Sequence, residues 1–299
     1  MFTGLFIDSF IMTPYLEQSK NEVVWSIPAG PSAFYSPNIL SELTYKDVKA
    51  RGLGINIAHL NKVSDHWAFY LEGDYSDTSI TSGKFQDSDY LGDNRTEEFS
   101  RSYADVSDDS NVRTSFAVGM KTRWFDSKGH YFTFLFGHQK QELNMTVTNG
   151  VQYIPEVDRG TPLTGLNSTF NSEFSSWYSG VATEHVFRWG TIGIRYEQHD
   201  VEYDSEADWN LREDLAHPIS FIQSGEGKGT LLTLGYSYQV NLNWDLFFNY
   251  TRRNYDIKDG YDQTFGSDGS SFVTTLNGLE YDSEQYQIGF RYIMPRFNS

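Results

Sequence analysis

The chain is short of several residue types, and each shortage narrows what it can be. Its 299 residues include no cysteine, so no disulfide staples it and no thiolate serves as nucleophile or metal ligand. Proline is sparse, at 8 residues. Apolar runs are short: stretches such as HYFTFLFG are strand-sized, well below the roughly 18 consecutive apolar residues of a helical membrane span. Positive charge is scarce as well, with 23 Lys and Arg against 40 Asp and Glu and a net charge of -17. That balance argues against nucleic acid or anionic phosphates as general partners, and favours a cationic partner or divalent ions at a lipopolysaccharide surface. The seven His show no H-E-x-x-H and no zinc spacing, and neither G-x-S-x-G nor a phosphate-cradling Gly loop is present. The first twenty residues lack a positive leading region, and Asp8 interrupts their short apolar run, so they do not read as an intact secretory signal.

What is present is aromatic. There are 20 Tyr and 22 Phe, aromatics make up 16% of the chain, and yet hydrophobic residues total only 38%. A water-soluble protein this polar has little use for so many rings, whereas a transmembrane β-barrel needs them for its lipid face and two interfacial girdles. Alternation supports that fold. In QYQIGFRYIM, Tyr286, Ile288, Phe290, Tyr292 and Met294 share one face, and Gln285, Gln287, Gly289 and Arg291 the other. In VRTSFAVGMKTRW, Phe116, Val118, Met120 and Trp124 oppose Arg113, Ser115, Ala117, Gly119, Lys121 and Arg123. In TIGIRYEQH, Ile192, Ile194 and Tyr196 oppose Gly193, Arg195, Glu197 and His199. The second face carries small residues and both signs of charge, as a polar lumen of paired ions would and a dry sandwich core would not.

Short connections at 61–66, 125–130, 187–190 and 241–244 alternate with polar stretches at 84–111, 150–172, 203–218 and 258–279. The pattern predicts an all-β, antiparallel up-and-down transmembrane barrel of about ten strands, standing above the outer membrane, with long extracellular loops and short periplasmic turns. Several strands approach twenty residues where about 9–11 cross a bilayer, hence the projection. One domain is expected over 1–299, with an N-terminal segment at 1–21 and the barrel at 22–297.

Acids gather in the polar stretches. The first holds Asp87, Asp89, Asp93, Glu97, Glu98, Asp105, Asp108 and Asp109; the third holds Glu202, Asp204, Glu206, Asp208, Glu213 and Asp214; the fourth holds Asp259, Asp262 and Asp268. Most are expected to form a solvated rim. None has EF-hand spacing. His199 is expected to be a packed, hydrogen-bonded residue rather than a ligand or base.

The order SGKFQDSDYLGDNRTEEFSR, FLFGHQKQELNMTV, SSWYSGVATEHVFRWGTIGIRYEQHDVEYDSEADWN and YQIGFRYIMPRF resembles the omptin family over about Val23 to Phe297. The resemblance implies a ten-stranded outer-membrane endoprotease fold that depends on lipopolysaccharide. In it two carboxylates face an Asp-His pair across an extracellular cleft and activate a water. The paired acids correspond to Asp87 and Asp89, followed by Tyr90. On the opposite side the spacing gives Asp204, Glu206 and Asp208, followed by Trp209, so Asp208 stands where the family has its catalytic histidine. Asp204 keeps one acid of the basic-specificity pocket; Ser32 stands where the other would be. The end departs too, with Asn298 and Ser299 after Phe297.

An acid in place of histidine changes the chemistry, because imidazole takes and returns a proton near neutral pH and a carboxylate cluster does not. Four clustered carboxylates, Asp87, Asp89, Glu206 and Asp208, instead suggest an aspartic-type water activation or a Ca²⁺ site. Strict parity sets Asp204, Glu206 and Asp208 on the face of Ile192 and Ile194, so an inward cluster requires a bulge or twist above the membrane. Three functions compete: a non-proteolytic surface barrel for binding, adhesion or structure with an acidic cleft for a cationic peptide or protein; an endopeptidase using the four acids with Asp204 in substrate binding; and a small pore. Ten strands enclose less than the 16–18 that leave an open channel, and charges such as Arg113, Lys121, Arg195 and Arg291 are placed to cross-link the lumen.

Overall fold

Period-two alternation over segments of twenty or so residues leaves each strand with two faces to satisfy, and closing the sheet into a ring satisfies both while removing every edge in the wall. A computed structural model describes residues 6–32, 34–107, 110–123 and 129–295. Expectations attached to Asp108, Asp109, Trp124, the turn at 125–128, Phe297, Asn298, Ser299 and the side chain of Asp259 lie outside the described residues. The strands are β1 (Ser9–Ile27), β2 (Ser41–Lys62), β3 (Trp67–Gly92), β4 (Thr96–Ser107), β5 (Ser110–Arg123), β6 (His130–Ile154), β7 (Pro162–Leu163), β8 (Ser168–Phe187), β9 (Gly190–Asp208), β10 (Phe221–Gln239), β11 (Trp244–Phe265), β12 (Ser271–Leu276) and β13 (Gly278–Pro295).

Every pairing is antiparallel, and β13 returns to β1 from Ser26↔Gly278 down to Ser9↔Pro295, closing the ring. β4 and β5 both run between β3 and β6 and share one stave, β12 and β13 share another, and β7 is a flap on β6. Among the described residues thirteen strands thus make ten staves. This is the up-and-down barrel expected from the alternation.

Two boundaries differ from expectation. The barrel begins at Ser9, not at residue 22, so 9–21 is wall rather than a separate segment. Asp8 and Pro14 hid this: Pro14 has no N–H for the ladder, and pairing to β13 skips from Met12 to Tyr15. The second correction concerns the polar stretches taken for long loops, which are mostly strand. β3 runs to Gly92, β6 to Ile154, β9 to Asp208 and β11 to Phe265. The connections at that end are 28–40, 93–95, 155–161, 164–167, 209–220 and 266–270. Polar residues looked like loop because their partners in alternation are buried inside a second, dry interior.

β9 shows the plan. Its inward residues run Thr191, Gly193, Arg195, Glu197, His199, Val201, Tyr203, Ser205, Ala207; its outward ones run Ile192, Ile194, Tyr196, Gln198, Asp200, Glu202, Asp204, Glu206. Parity never changes, but polarity inverts halfway. Near the short turns the wall is apolar outside, with Leu53, Phe69, Phe134, Ile194, Leu234 and Ile288 exposed. Trp67, Trp244 and Tyr292 end this belt on the turn side, and Tyr75, Tyr196, Tyr250 and Tyr286 on the other. Such a belt between ring girdles suits lipid.

The lumen inside the belt is packed with paired charge. Arg113 bridges Glu17 (2.9 Å) and Asp74 (3.3 Å), Lys121 meets Glu184 (2.7 Å), Arg291 meets Asp245 (3.3 Å), and Arg195 joins Glu72 (2.7 Å) and Glu197. His199 accepts or donates to Ser176 Oγ (2.9 Å) and Glu197 Oε2 (3.0 Å), the packed role expected of it. Arg253 is held by the Gln141 and Gln139 carbonyl oxygens at 2.7 and 3.2 Å. Among these groups lies a polar cavity of about 100 Å³.

Above the belt the interior is dry. Phe174 stacks on Tyr281 with ring centroids 5.0 Å apart, Tyr45 lies 5.3 Å from Phe170 and 5.0 Å from Phe85, and Trp25, Ile257 and Leu279 fill between them. Burying this many rings drives closure of the distal half by the ordinary hydrophobic effect, with aqueous solvent outside rather than lipid.

Candidate functional site

At the mouth the predicted acids divide between the two faces of the wall. Asp87 pairs across the sheet with Leu43, which is 2% exposed, and Asp89 pairs with Ser41, so both carboxyls share the inward face of β3 above the dry core. Ser41 hydrogen-bonds both, Ser100 bonds Asp89, and the Arg212 guanidinium faces the pair. Burial, reinforced at Asp87 by the neighbouring Asp89 charge, nevertheless pushes the Asp87 carboxyl well above the usual carboxylate range, and burial raises Asp89 too. One Asp87 oxygen, Oδ1, is buried with no hydrogen-bond partner.

The other half of the expected cluster points away. Asp204 and Glu206 lie on the exposed outer face of β9, Asp204 directly opposite Glu173 of β8 and Glu206 opposite Asn171. Asp208 continues that parity. No bulge interrupts β9 against either neighbour, so the turn inward that an acid cluster required is absent. The expectation that Asp87, Asp89, Glu206 and Asp208 line one cleft, or jointly hold Ca²⁺, is therefore corrected: the first two face the interior and the others the exterior. Among the described residues no group of three or more His, Cys, Asp or Glu is placed to hold a metal ion. Ser32 lies in the 28–40 connection, its carbonyl accepting the Tyr35 N–H at 3.1 Å.

Sequence reasoning missed the segment that roofs the mouth. Residues 209–220 fold back on the 266–270 turn, with Ala216 N–H donating to Phe265 O (2.9 Å) and Ser267 N–H to Asp214 O (3.0 Å). Trp209, on the inward parity of β9, packs edge-on against Phe85 (6.2 Å) and Phe221 (5.1 Å), spanning the mouth from β9 to β3. Arg212 is held by Asp214 through two hydrogen bonds of 2.9 and 2.8 Å. His217 Nδ1 lies 2.5 Å from Asp208 Oδ1, so an Asp-His pair exists, with the imidazole supplied from nine residues further along the chain. Trp209 was legible as a ring continuing an inward series; nothing local in the sequence marks Arg212 or His217, whose positions depend on how the connection folds.

Chemically, two adjacent carboxyls raised by burial, Asp87 to about 8 and Asp89 in the same direction, favour sharing a proton and can engage one polar group between them. Below the pair lie the ring core and, beneath it, the ion-pair network of the lumen.

Comparisons with known proteins agree with this geometry. The model of the Pom family, Protochlamydia outer membrane protein, matches residues 19–294. No curated protein matches the chain. Among solved structures, the outer membrane protease OmpT from Escherichia coli superposes with a TM-score of 0.71 at 12% identity, covering 98% of each chain. A FadL homologue of Pseudomonas aeruginosa (TM-score 0.34, 9% identity, 96% and 91% covered) and the translocator domain of the Neisseria meningitidis autotransporter NalP (0.36, 9%, 94% and 88%) are too distant to carry any argument. The omptin resemblance therefore holds as a likeness of fold. The chain belongs to the Protochlamydia outer membrane protein family and is an outer-membrane β-barrel.

Proposed function

We propose that this member of the Protochlamydia outer membrane protein family is a surface binding protein, presenting a rigid, acidic, water-facing barrel end to a cationic peptide or protein, with lipopolysaccharide around its belt. The distal connections are extracellular on this reading. The observation that carries it is the inversion of polarity above the belt: the distal half has the construction of a soluble domain, ring core inside and Asp200, Glu202, Asp204 and Glu206 outside, which a pore does not need. Charge on such a surface gives salt-dependent attraction to cations.

The test uses the folded barrel in lipopolysaccharide-containing vesicles. Saturable binding of polylysine that weakens from 50 to about 300 mM salt, as screening shortens the Debye length, supports the reading. Steady current across a planar bilayer, or no binding at any salt, overturns it.

A second reading, an endopeptidase, is favoured by one observation: the Asp87–Asp89 pair at the mouth and an Asp208–His217 pair at the end of β9 supply carboxylate and imidazole chemistry at the same end of the barrel. Cleavage from a peptide library, abolished by both Asp87→Ala and His217→Ala, would establish it in place of the first.

A further inference from the structure

We propose that His130 and His185 form a two-imidazole chelate for a borderline divalent transition ion, Cu²⁺, Ni²⁺ or Zn²⁺, on the outer wall at the short-turn end. The two residues pair directly across β6 and β8. Both are exposed, on the outward parity that carries Phe134 and Phe136 on β6 and Val181 on β8. Their Nδ1 atoms are 3.1 Å apart and their ring centroids 4.2 Å apart. With metal–nitrogen bonds of about 2.0–2.1 Å, two nitrogens bound cis at square-planar to tetrahedral angles stand about 2.9–3.4 Å apart. The observed separation is that bite.

Four of the other five described imidazoles are engaged differently. His59 meets the Ser9 carbonyl, His138 the Ser175 hydroxyl, His199 Ser176 and Glu197, and His217 Asp208. Only at 130 and 185, among the described residues, do two ring nitrogens meet. Phe132, on the next outward position of β6, flanks the pair from the belt side, and the Phe187 ring, 5.9 Å from His185, flanks it from the turn side. Imidazole nitrogen suits Cu, Ni and Zn and not Ca or Mg. Because β6 and β8 are adjacent staves, the ion would also fasten them at their base, tying wall stability to metal supply.

The experiment titrates the full-length folded barrel with Cu²⁺, Ni²⁺ and Zn²⁺ by calorimetry and takes the electron paramagnetic resonance spectrum of the Cu²⁺ form. One saturable site is expected, tightest for Cu²⁺, with superhyperfine structure from two equivalent nitrogens. His130→Ala or His185→Ala should each weaken binding by roughly 100-fold, since either leaves a single imidazole where a chelate stood, while His66→Ala should not change it. Heat-modified electrophoretic mobility without metal checks that the variants fold; should one fail, the wild-type spectrum still decides. No saturable binding, a one-nitrogen signal, or affinity unchanged in either His variant overturns the proposal.

Discussion

The two halves of this barrel use the same strands in opposite senses. In the belt half, charge is inside and paired while rings face out; in the distal half, rings are inside and acids face out. The difference shows that parity and polarity are separate instructions. Parity is fixed by the pleat, but what each face holds is set by the medium outside and by what the interior must exclude. A polar lumen is tolerable only where each ion finds a partner, as Arg113 finds Glu17 and Asp74. A dry interior needs no such matching, but must be filled by shape.

The strongest way to break the comparison is to empty the dry half. Phe174, 1% exposed and stacked among Tyr203, Tyr255 and Tyr281, should cost about 3–5 kcal/mol when changed to Ala. Limited proteolysis should cut the distal staves first, with the belt half still protected; simultaneous loss of both halves would show that they are one cooperative unit. In the belt half, Lys121→Met leaves Glu184 buried without its 2.7 Å partner and should cost about 3–5 kcal/mol, whereas Lys121→Met with Glu184→Leu should recover most of that loss. Chemical unfolding of the two variants gives the comparison, and equal losses would mean that the pair matters for more than mutual neutralisation.

A smaller effect concerns a buried distal acid, Asp262, with no basic partner in its hydrogen-bond set. Asp262, 1% exposed, accepts from Gln223 (3.0 Å) and Thr264 (3.0 Å), and burial raises its carboxyl to about 6. A folded-state pKa above the unfolded value near 3.9 favours the protonated form on folding, so its contribution is full below about pH 4 and is lost as pH rises through about 6. Distal stability should fall by about 1–3 kcal/mol between pH 4 and 8 from this group. Asp262→Asn should flatten that part of the profile, and an unchanged profile would assign the dependence elsewhere. Smallest of all, Asp204→Asn on the outer wall should shift stability by less than about 0.5 kcal/mol while weakening polylysine binding.

Much of the fold was legible because lipid enforces a simple rule. Tyr286, Ile288, Phe290 and Ile192, Ile194, Tyr196 had only one medium to face, and alternation alone gave the staves, their number and the lumen charges. The distal half was less legible: the same alternation continues at Tyr203, Ser205 and Ala207, but acids on the outward positions raise polarity to that of loops. At the site, Asp87 and Asp89 were found as an adjacent inward pair. Their supposed partners failed because likeness of spacing to the omptin pattern set Glu206 and Asp208 opposite, while unbroken pairing along β9 turned Glu206 and Asp204 outward. Arg212 and His217 were out of reach, since an irregular connection carries no period.

The unbroken pairing of β9 also bears on how the barrel avoids misassembly. Were that strand to slip by one residue against β8, Arg195 and Glu197 would enter lipid at the same moment as Val201 and Tyr203 entered water. Either error alone is costly, and no single slip incurs only one. The inversion thus acts as a check digit for strand register, read by two different solvents during insertion.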